Sequence, residues 1–222
     1  MKSMLESVRT YLENSNFPIE QGETVDYILD AMKKADRRFF IDESPYADSA
    51  IPIGEGQTIS QPSTVAAILR FAALSSGSSV LEIGAGSGWN AAVTGFMVYP
   101  GEVTAAEIIP ELAEKAERNI ESLKSHFEEN GIEFRCRVRI IPSDILSKEE
   151  QIPALFDRII FSAGIRESEE ERIEKFALKN LEDGGVLVCP QRRGPLIKIE
   201  KRGAEIIKTK SEEQYVFVPL IF

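Results

Sequence analysis

The chain contains one histidine, His126, and two cysteines, Cys136 and Cys189, and this scarcity removes several chemistries at once. Ser-His-Asp and Cys-His catalysis would each have to run through His126, which falls on a long, polar-faced helical pattern and is expected at the surface. Neither cysteine has a cysteine or histidine at metal-ligand spacing; both stand in apolar stretches and are expected as buried small hydrophobes, with no metal bound. Basic residues are in deficit: 26 Lys and Arg against 36 Asp and Glu give a net charge of −10. That balance argues against a nucleic-acid groove, which needs a basic face to exchange for phosphate counterions. No apolar run reaches membrane-spanning length, and MKSMLESVRTYLENS at the start lacks the apolar core of a signal peptide, so the expected compartment is the cytoplasm, with no membrane partner. Repeats and low-complexity linkers are also lacking. The 222 residues, 43% apolar and 28% charged, are expected as a single domain, 1–222, and as a monomer.

What is present reads in two parts, 1–61 and 62–222. Up to residue 38 the pattern predicts two helices separated by a loop at 14–22, with Val25, Ile28, Leu29 and Met32 on one apolar face. FFIDESPYADSAIPIGEGQTISQ, 39–61, shows neither helical nor strand periodicity, and its aromatic and aliphatic residues predict a packed, functional loop. A helix is expected from Pro62, with Ser60 or Ser63 satisfying its first amides. Strands are then expected at 79–83, 102–108, 136–141, 156–161 and 186–189, alternating with helices at 89–99, from Pro110 to about 130, and from a Ser168/Glu171 capping box to about 180. Three more strands, 196–200, 205–209 and 215–220, follow without helices between them. Alternation implies a parallel sheet covered on both faces, and the helix-free tail implies an antiparallel edge. The fold class is α/β, doubly wound.

In VLEIGAGSGWN a buried strand delivers the chain into Gly84, Gly86 and Gly88, where backbone can approach a ligand. Such ligands bind at the carboxyl ends of parallel strands. Glu107 ends the next strand, 19 residues past Gly88, where a carboxylate can accept both hydroxyls of a ribose; the blander role is a cap on the helix at Pro110. A dinucleotide turn wants a further glycine where Trp89 stands, and no G-K-[ST] supports a triphosphate. Glu82, two residues before the turn, suits a cationic ligand better than a pyrophosphate. S-adenosylmethionine fits, with its ammonium and sulfonium on an adenosine. Asp144, in IIPSDIL, stands where it could accept from the adenine amino group or cap a helix. Arg192 and Arg193 read as a solvated loop or as a contact for an acidic substrate group.

The glycine turn followed by Glu107 resembles motif I and its successor in class I S-adenosylmethionine-dependent methyltransferases. PYADSAIPIGEGQTISQPSTVA is similar to the substrate loop of protein-L-isoaspartate O-methyltransferases, and FDRIIFSAG and YVFVPL resemble that family too. The resemblance implies a seven-stranded Rossmann-like sheet with antiparallel C-terminal strands. It also implies methyl transfer from S-adenosylmethionine to the free carboxylate of isoaspartyl residues in damaged proteins or peptides. By position, Ser60 would be the active-site serine, with Ile53, Thr58, Ile59 and Ser63 in the substrate loop. Glu82, Gly84, Ala85, Gly86, Ser87, Gly88, Glu107, Ile108, Asp144 and Ile145 would hold the cofactor. A carboxylate acceptor is already ionised at neutral pH and needs no general base, which agrees with the single histidine. Departures fall at Ser63, where the family has histidine, at Trp89, at SAGIRESEEERIEKF and at Arg192-Arg193. They leave two alternatives: a methyltransferase of another peptide or small-molecule carboxylate, and a non-catalytic S-adenosylmethionine-binding module.

Overall fold

The computed structural model describes residues 1–16, 25–148, 152 and 154–221, so most of the loop expected at 14–22 lies outside the described residues. Helices α1 (Lys2–Asn14) and α2 (Val25–Lys34) bury Val8 and Leu12 from the first and Ile28 and Met32 from the second. A single 3-10 turn, Arg37–Phe39, leads into the segment expected to lack regular structure. Here the structure differs: β1 (Ile51–Gly54) and β2 (Gln57–Ile59) pair as an antiparallel hairpin, Ile51 opposite Ile59. Only Ile51 and Ile53 in β1 and Ile59 in β2 are buried, too short a run for a period-two signal. Three consecutive positive-φ residues, Gly54, Glu55 and Gly56, close the turn.

Helix α3 (Pro62–Ala72) begins at the expected proline, but neither serine caps it; the Ser63 amide donates to Asp48 Oδ1 at 2.9 Å, from the loop. The alternation that follows is β3 (Ser79–Ile83), α4 (Trp89–Val98), β4 (Glu102–Glu107), α5 (Pro110–Glu129), β5 (Val138–Pro142), β6 (Phe156–Phe161), α6 (Glu170–Asn180) and β7 (Leu181–Pro190). The remaining strands are β8 (Arg193–Gly194), β9 (Leu196–Arg202), β10 (Glu205–Lys210) and β11 (Tyr215–Val216). The expected Ser168/Glu171 capping box is replaced two residues earlier: Glu169 Oε2 accepts from the Arg166 amide at 2.7 Å, and a 3-10 turn, Glu167–Glu169, precedes α6. The strand expected at 136–141 starts at Val138, and of 215–220 only Tyr215–Val216 forms a ladder, with Gly194 and Arg193.

Seven strands form one sheet in the order β10-β9-β7-β6-β3-β4-β5. The five from β7 to β5 run parallel, and β9 and β10 continue antiparallel as the expected edge hairpin. Buried residues of α1 to α5 pack with the hairpin on one side, in a cluster with Val8, Leu12, Ile28, Phe40, Ile51, Ile59, Ile68, Trp89 and Leu112. A second cluster gathers Phe161, Ile173, Phe176, Leu187 and Ile197 around α6. From β3 the chain steps outward through β4 to β5, then returns to β6 on the other side of β3. This reversal opens a crevice at the carboxyl ends of β3 and β6. In-register pairing of Ile83 with Phe161 and with Ala106 brings Gly84, Ser162 and Glu107 to one level above the sheet. The Asp157 carboxylate accepts from both the amide and the hydroxyl of Ser79, at 2.7 and 2.9 Å, fastening the lower end of the same pair.

Candidate active site

A cavity partly open to solvent fills that crevice. Its walls are 84–87 after β3, 107–109 after β4, 143–146 after β5, Ser162 and Ala163 after β6, 57–60 of the hairpin loop, and 218–221 from the chain's end.

The floor is polar and incompletely satisfied. Glu82 is 1% exposed; its Oε1 accepts from Asn90 Nδ2 at 2.9 Å and from Ser162 Oγ at 2.6 Å. Burial pushes this carboxyl up to about 7, against the opposing hydrogen bonds of Ser162 and Asn90 and with a further push from Glu107. Among the described residues, Glu82 Oε2 and Asn90 Oδ1 are buried with no partner. Two acceptors left bare on one cavity floor call for a donor-rich, cationic group, because a buried unmet acceptor costs about 1–3 kcal/mol. An anion such as a pyrophosphate would be repelled there.

Glu107 holds the rim. Its Oε2 accepts from the Gly86 amide at 2.8 Å and its Oε1 from the Ile109 amide at 3.0 Å, which fixes the glycine turn to the end of β4. Each carboxylate oxygen retains a lone pair for a hydroxyl. The Ile109 bond lies at the entry to α5, on the residue that precedes the helix and not on one of the helix's own amides. Asp144 likewise faces the cavity while its Oδ1 accepts from the Ser147 amide at 3.1 Å.

Of the residues expected to meet the cofactor, Glu82, Gly84, Ala85, Gly86, Ser87, Glu107, Ile108, Asp144 and Ile145 line the cavity together. Gly88 does not. With φ +84° at the start of α4, it lets that helix meet α5: a Cβ there would lie 3.2 Å from the Cβ and carbonyl of Ala116. Among the expected substrate residues, Ser60, Thr58 and Ile59 line the cavity, whereas Ile53 and Ser63 stand outside it. Ile53 supports the glycine turn from behind, its Cδ1 3.4 Å from where a Gly86 Cβ would be. Ser63 is buried, its hydroxyl accepting from Gln61 Nε2 at 2.9 Å.

Sequence reasoning missed Ser162, Asn90, 218–221 and Arg37. Ser162 carried one usable signal, since it directly follows the strand that must neighbour β3 at a reversal. The end segment is held by Gly164, whose amide donates to Val218 O at 2.8 Å and whose carbonyl accepts from the Leu220 amide at 2.9 Å. Arg37 is fully buried beneath the 45–60 segment, donating to the carbonyls of Pro45, Ala47, Ser49 and Ser60 at 3.0–3.2 Å. Its guanidinium carbon lies 5.0 Å from the Trp89 ring centroid, and burial pulls the group down to about 10 against the pull of Asp48. Trp89 Nε1 in turn donates to Ala35 O at 2.8 Å. One arginine thereby ties the backbone of Ser60 to the helix that follows the glycine turn.

His126 is partly buried against Phe39, with ring centroids 5.1 Å apart, and does not line the cavity. Cys136 and Cys189 are both buried and unbridged, and burial raises both thiols, the first to about 12.

Comparison with known proteins points one way. The profile of the protein-L-isoaspartate(D-aspartate) O-methyltransferase family matches residues 17–221. A protein-L-isoaspartate O-methyltransferase of Ignicoccus hospitalis is 36% identical over 207 residues, covering 87% of this chain and 88% of the relative. Another, of Pyrococcus horikoshii, is 37% identical over 199 residues, covering 86% and 83%. A Plasmodium falciparum crystal structure, described as a candidate protein-L-isoaspartate O-methyltransferase in complex with S-adenosyl-L-homocysteine, superposes with a TM-score of 0.78 at 25% identity, over 99% of this chain and 97% of that one.

Proposed function

The chain belongs to the protein-L-isoaspartate O-methyltransferase family and is an S-adenosylmethionine-dependent enzyme of that type, and we propose how its residues divide the work. The observation that carries the assignment of roles is the pair of bare acceptors on the cavity floor, Glu82 Oε2 and Asn90 Oδ1. They match the ammonium of the methionyl part of the cofactor. Glu107, with a lone pair left on each oxygen, accepts the ribose hydroxyls; Asp144 accepts from the adenine amino group, and Ile108 and Ile145 supply apolar contact. When bound, S-adenosylmethionine supplies a methyl group made electrophilic by its sulfonium.

The remaining work is alignment. An isoaspartyl residue exposes a free α-carboxylate, ionised at neutral pH, so no side chain has to remove a proton from the nucleophile. Ser60 donates its hydroxyl hydrogen to one carboxylate oxygen and orients the other toward the methyl group. Thr58 and Ile59 form the adjoining wall, and Arg37 keeps the Ser60 backbone from shifting. The 218–221 segment screens the cavity from water, which favours displacement over hydrolysis. An aspartyl residue, which carries its free carboxylate on the side chain, presents the oxygen on a different backbone path. The substrates are therefore isoaspartyl proteins or peptides.

Incubating an isoaspartyl peptide and its aspartyl twin with labelled cofactor, followed by release of methanol in base, tests this reading. Methanol is expected from the isoaspartyl peptide alone. Equal labelling of both, or of neither, overturns the substrate assignment. Ser60→Ala is expected to lower kcat about 10- to 100-fold with cofactor affinity intact, the loss of one hydrogen bond to a charged group; unchanged turnover would take Ser60 out of the mechanism.

A further inference from the structure

Resting on the isoaspartyl activity, we propose that the β8–β11 ribbon is a substrate-docking rim that selects isoaspartyl sites flanked by acidic residues, through Arg192 and Arg193. Val216 pairs directly with Arg193, and cross-strand partners in an antiparallel ladder project to the same face. That face is open at Val216, which is 78% exposed, and at Arg193; Arg192, the residue just before the ladder, is exposed as well. From Val216 the chain runs straight into Val218, where the cavity wall begins, a distance of roughly 7 Å in extended backbone. A polypeptide lying across the rim with its isoaspartyl residue in the cavity would place a residue about two or three positions away over the arginines.

The ribbon is rigid where it matters. The Arg192 amide donates to Ile165 O at 2.7 Å, its carbonyl accepts from the Phe217 amide at 3.0 Å, and Gln191 Nε2 donates to Glu170 Oε1 at 2.6 Å. Arg192 backbone also packs so closely on Gly164 that a Cβ there would sit 2.7 Å from the Arg192 Cα. Gly164 is the residue that holds the 218–221 wall, so rim and cavity share one support. Among the described residues, neither arginine side chain has a hydrogen-bond or ion-pair partner. Glu170, which the neighbouring Gln191 reaches, is engaged with Lys208 and Lys210. On a chain of net charge −10, acidic segments are repelled at long range. An unneutralised arginine pair at the mouth reverses that locally and selects where they settle.

The test uses three isoaspartyl peptides of one core sequence, with glutamate, alanine or lysine placed two and three positions to either side. At low salt, kcat/KM is expected to favour the glutamate peptide over the lysine peptide about tenfold, mostly through KM, and the ratio is expected to shrink at high salt as the charges are screened. In an Arg192→Glu/Arg193→Glu variant the order is expected to reverse, while Arg192→Lys/Arg193→Lys keeps it, separating charge from damage to the ribbon. A ratio within twofold of unity in the native protein, or a ratio unmoved by the glutamate variant, overturns the rim. Absence of methylation on the alanine peptide would instead overturn the isoaspartyl activity.

Discussion

Glu82 shows how a single side chain can tie cofactor affinity to pH. Its carboxyl is raised from the ordinary range to about 7 by burial, so below that pH the free protein favours the protonated form. Stability from this group is full below its unfolded value, around pH 4.5, and is lost as pH rises through about 7. A bound ammonium favours the ionised form, so binding should expel a proton across that window. Calorimetry near pH 6 in two buffers of different ionisation enthalpy is expected to show proton release, and affinity is expected to rise with pH and level off above about 7. Glu82→Gln should abolish the release, weaken binding at pH 8 about tenfold or more, and flatten the pH dependence of thermal stability. Release undiminished in the variant would assign the proton to another group. The Glu82 position was legible in sequence, two residues ahead of the glycine turn. Its bare oxygen was not, because that depends on Asn90 and Ser162, which reach it from another helix and another strand.

At the scale of elements, sequence and structure agree where a signal is long and local. Buried runs such as SVLEI and FDRIIF, bounded by turns, become β3 and β6 with the expected ends, and Pro62 and Pro110 open their helices. Disagreement follows wherever order comes from elsewhere in the chain. The hairpin β1–β2 is flanked on both sides by carbonyls, of Ala47, Ser49 and Ser60, that Arg37 gathers, and a buried arginine distant in sequence leaves no periodicity. The end of the chain lacks a long ladder because 218–221 leans on Gly164 instead. That support gives a prediction. A methyl group at Gly164 would lie 2.7–2.9 Å from Arg192 backbone and Phe217 Cβ, with no flexible side-chain end to yield. Gly164→Ala is expected to cost about 1–3 kcal/mol, lowering Tm by several degrees. It should also speed proteolysis beyond Lys210 and depress turnover more than cofactor binding. An unchanged Tm with unchanged turnover would mean the end segment is not anchored there.

For the whole molecule, the open question is whether 1–61 is a lobe of its own or part of one folding unit, and we infer the latter. Val8, Leu12, Ile28, Phe40, Ile51 and Ile59 belong to the same buried cluster as Ile68, Trp89 and Leu112, so the N-terminal segment shares its core with the rest of the chain. Arg70 Nη1 donating to Leu12 O at 2.7 Å and Trp89 Nε1 to Ala35 O add polar ties across that boundary. The cavity then borrows walls from both parts, 57–60 from the first and the strand ends from the second. A ligand that binds only when all are in place must stabilise the whole. At one hundred times its Kd, S-adenosylhomocysteine should add about 2.7 kcal/mol. For a chain of this length that is a rise in Tm of roughly 5–11 °C. Scanning calorimetry is expected to show one transition that moves as a unit with ligand and shifts less in Glu82→Gln. Two transitions, with only one responding to ligand, would mean that the helices and loop of 1–61 fold apart from the core they cover.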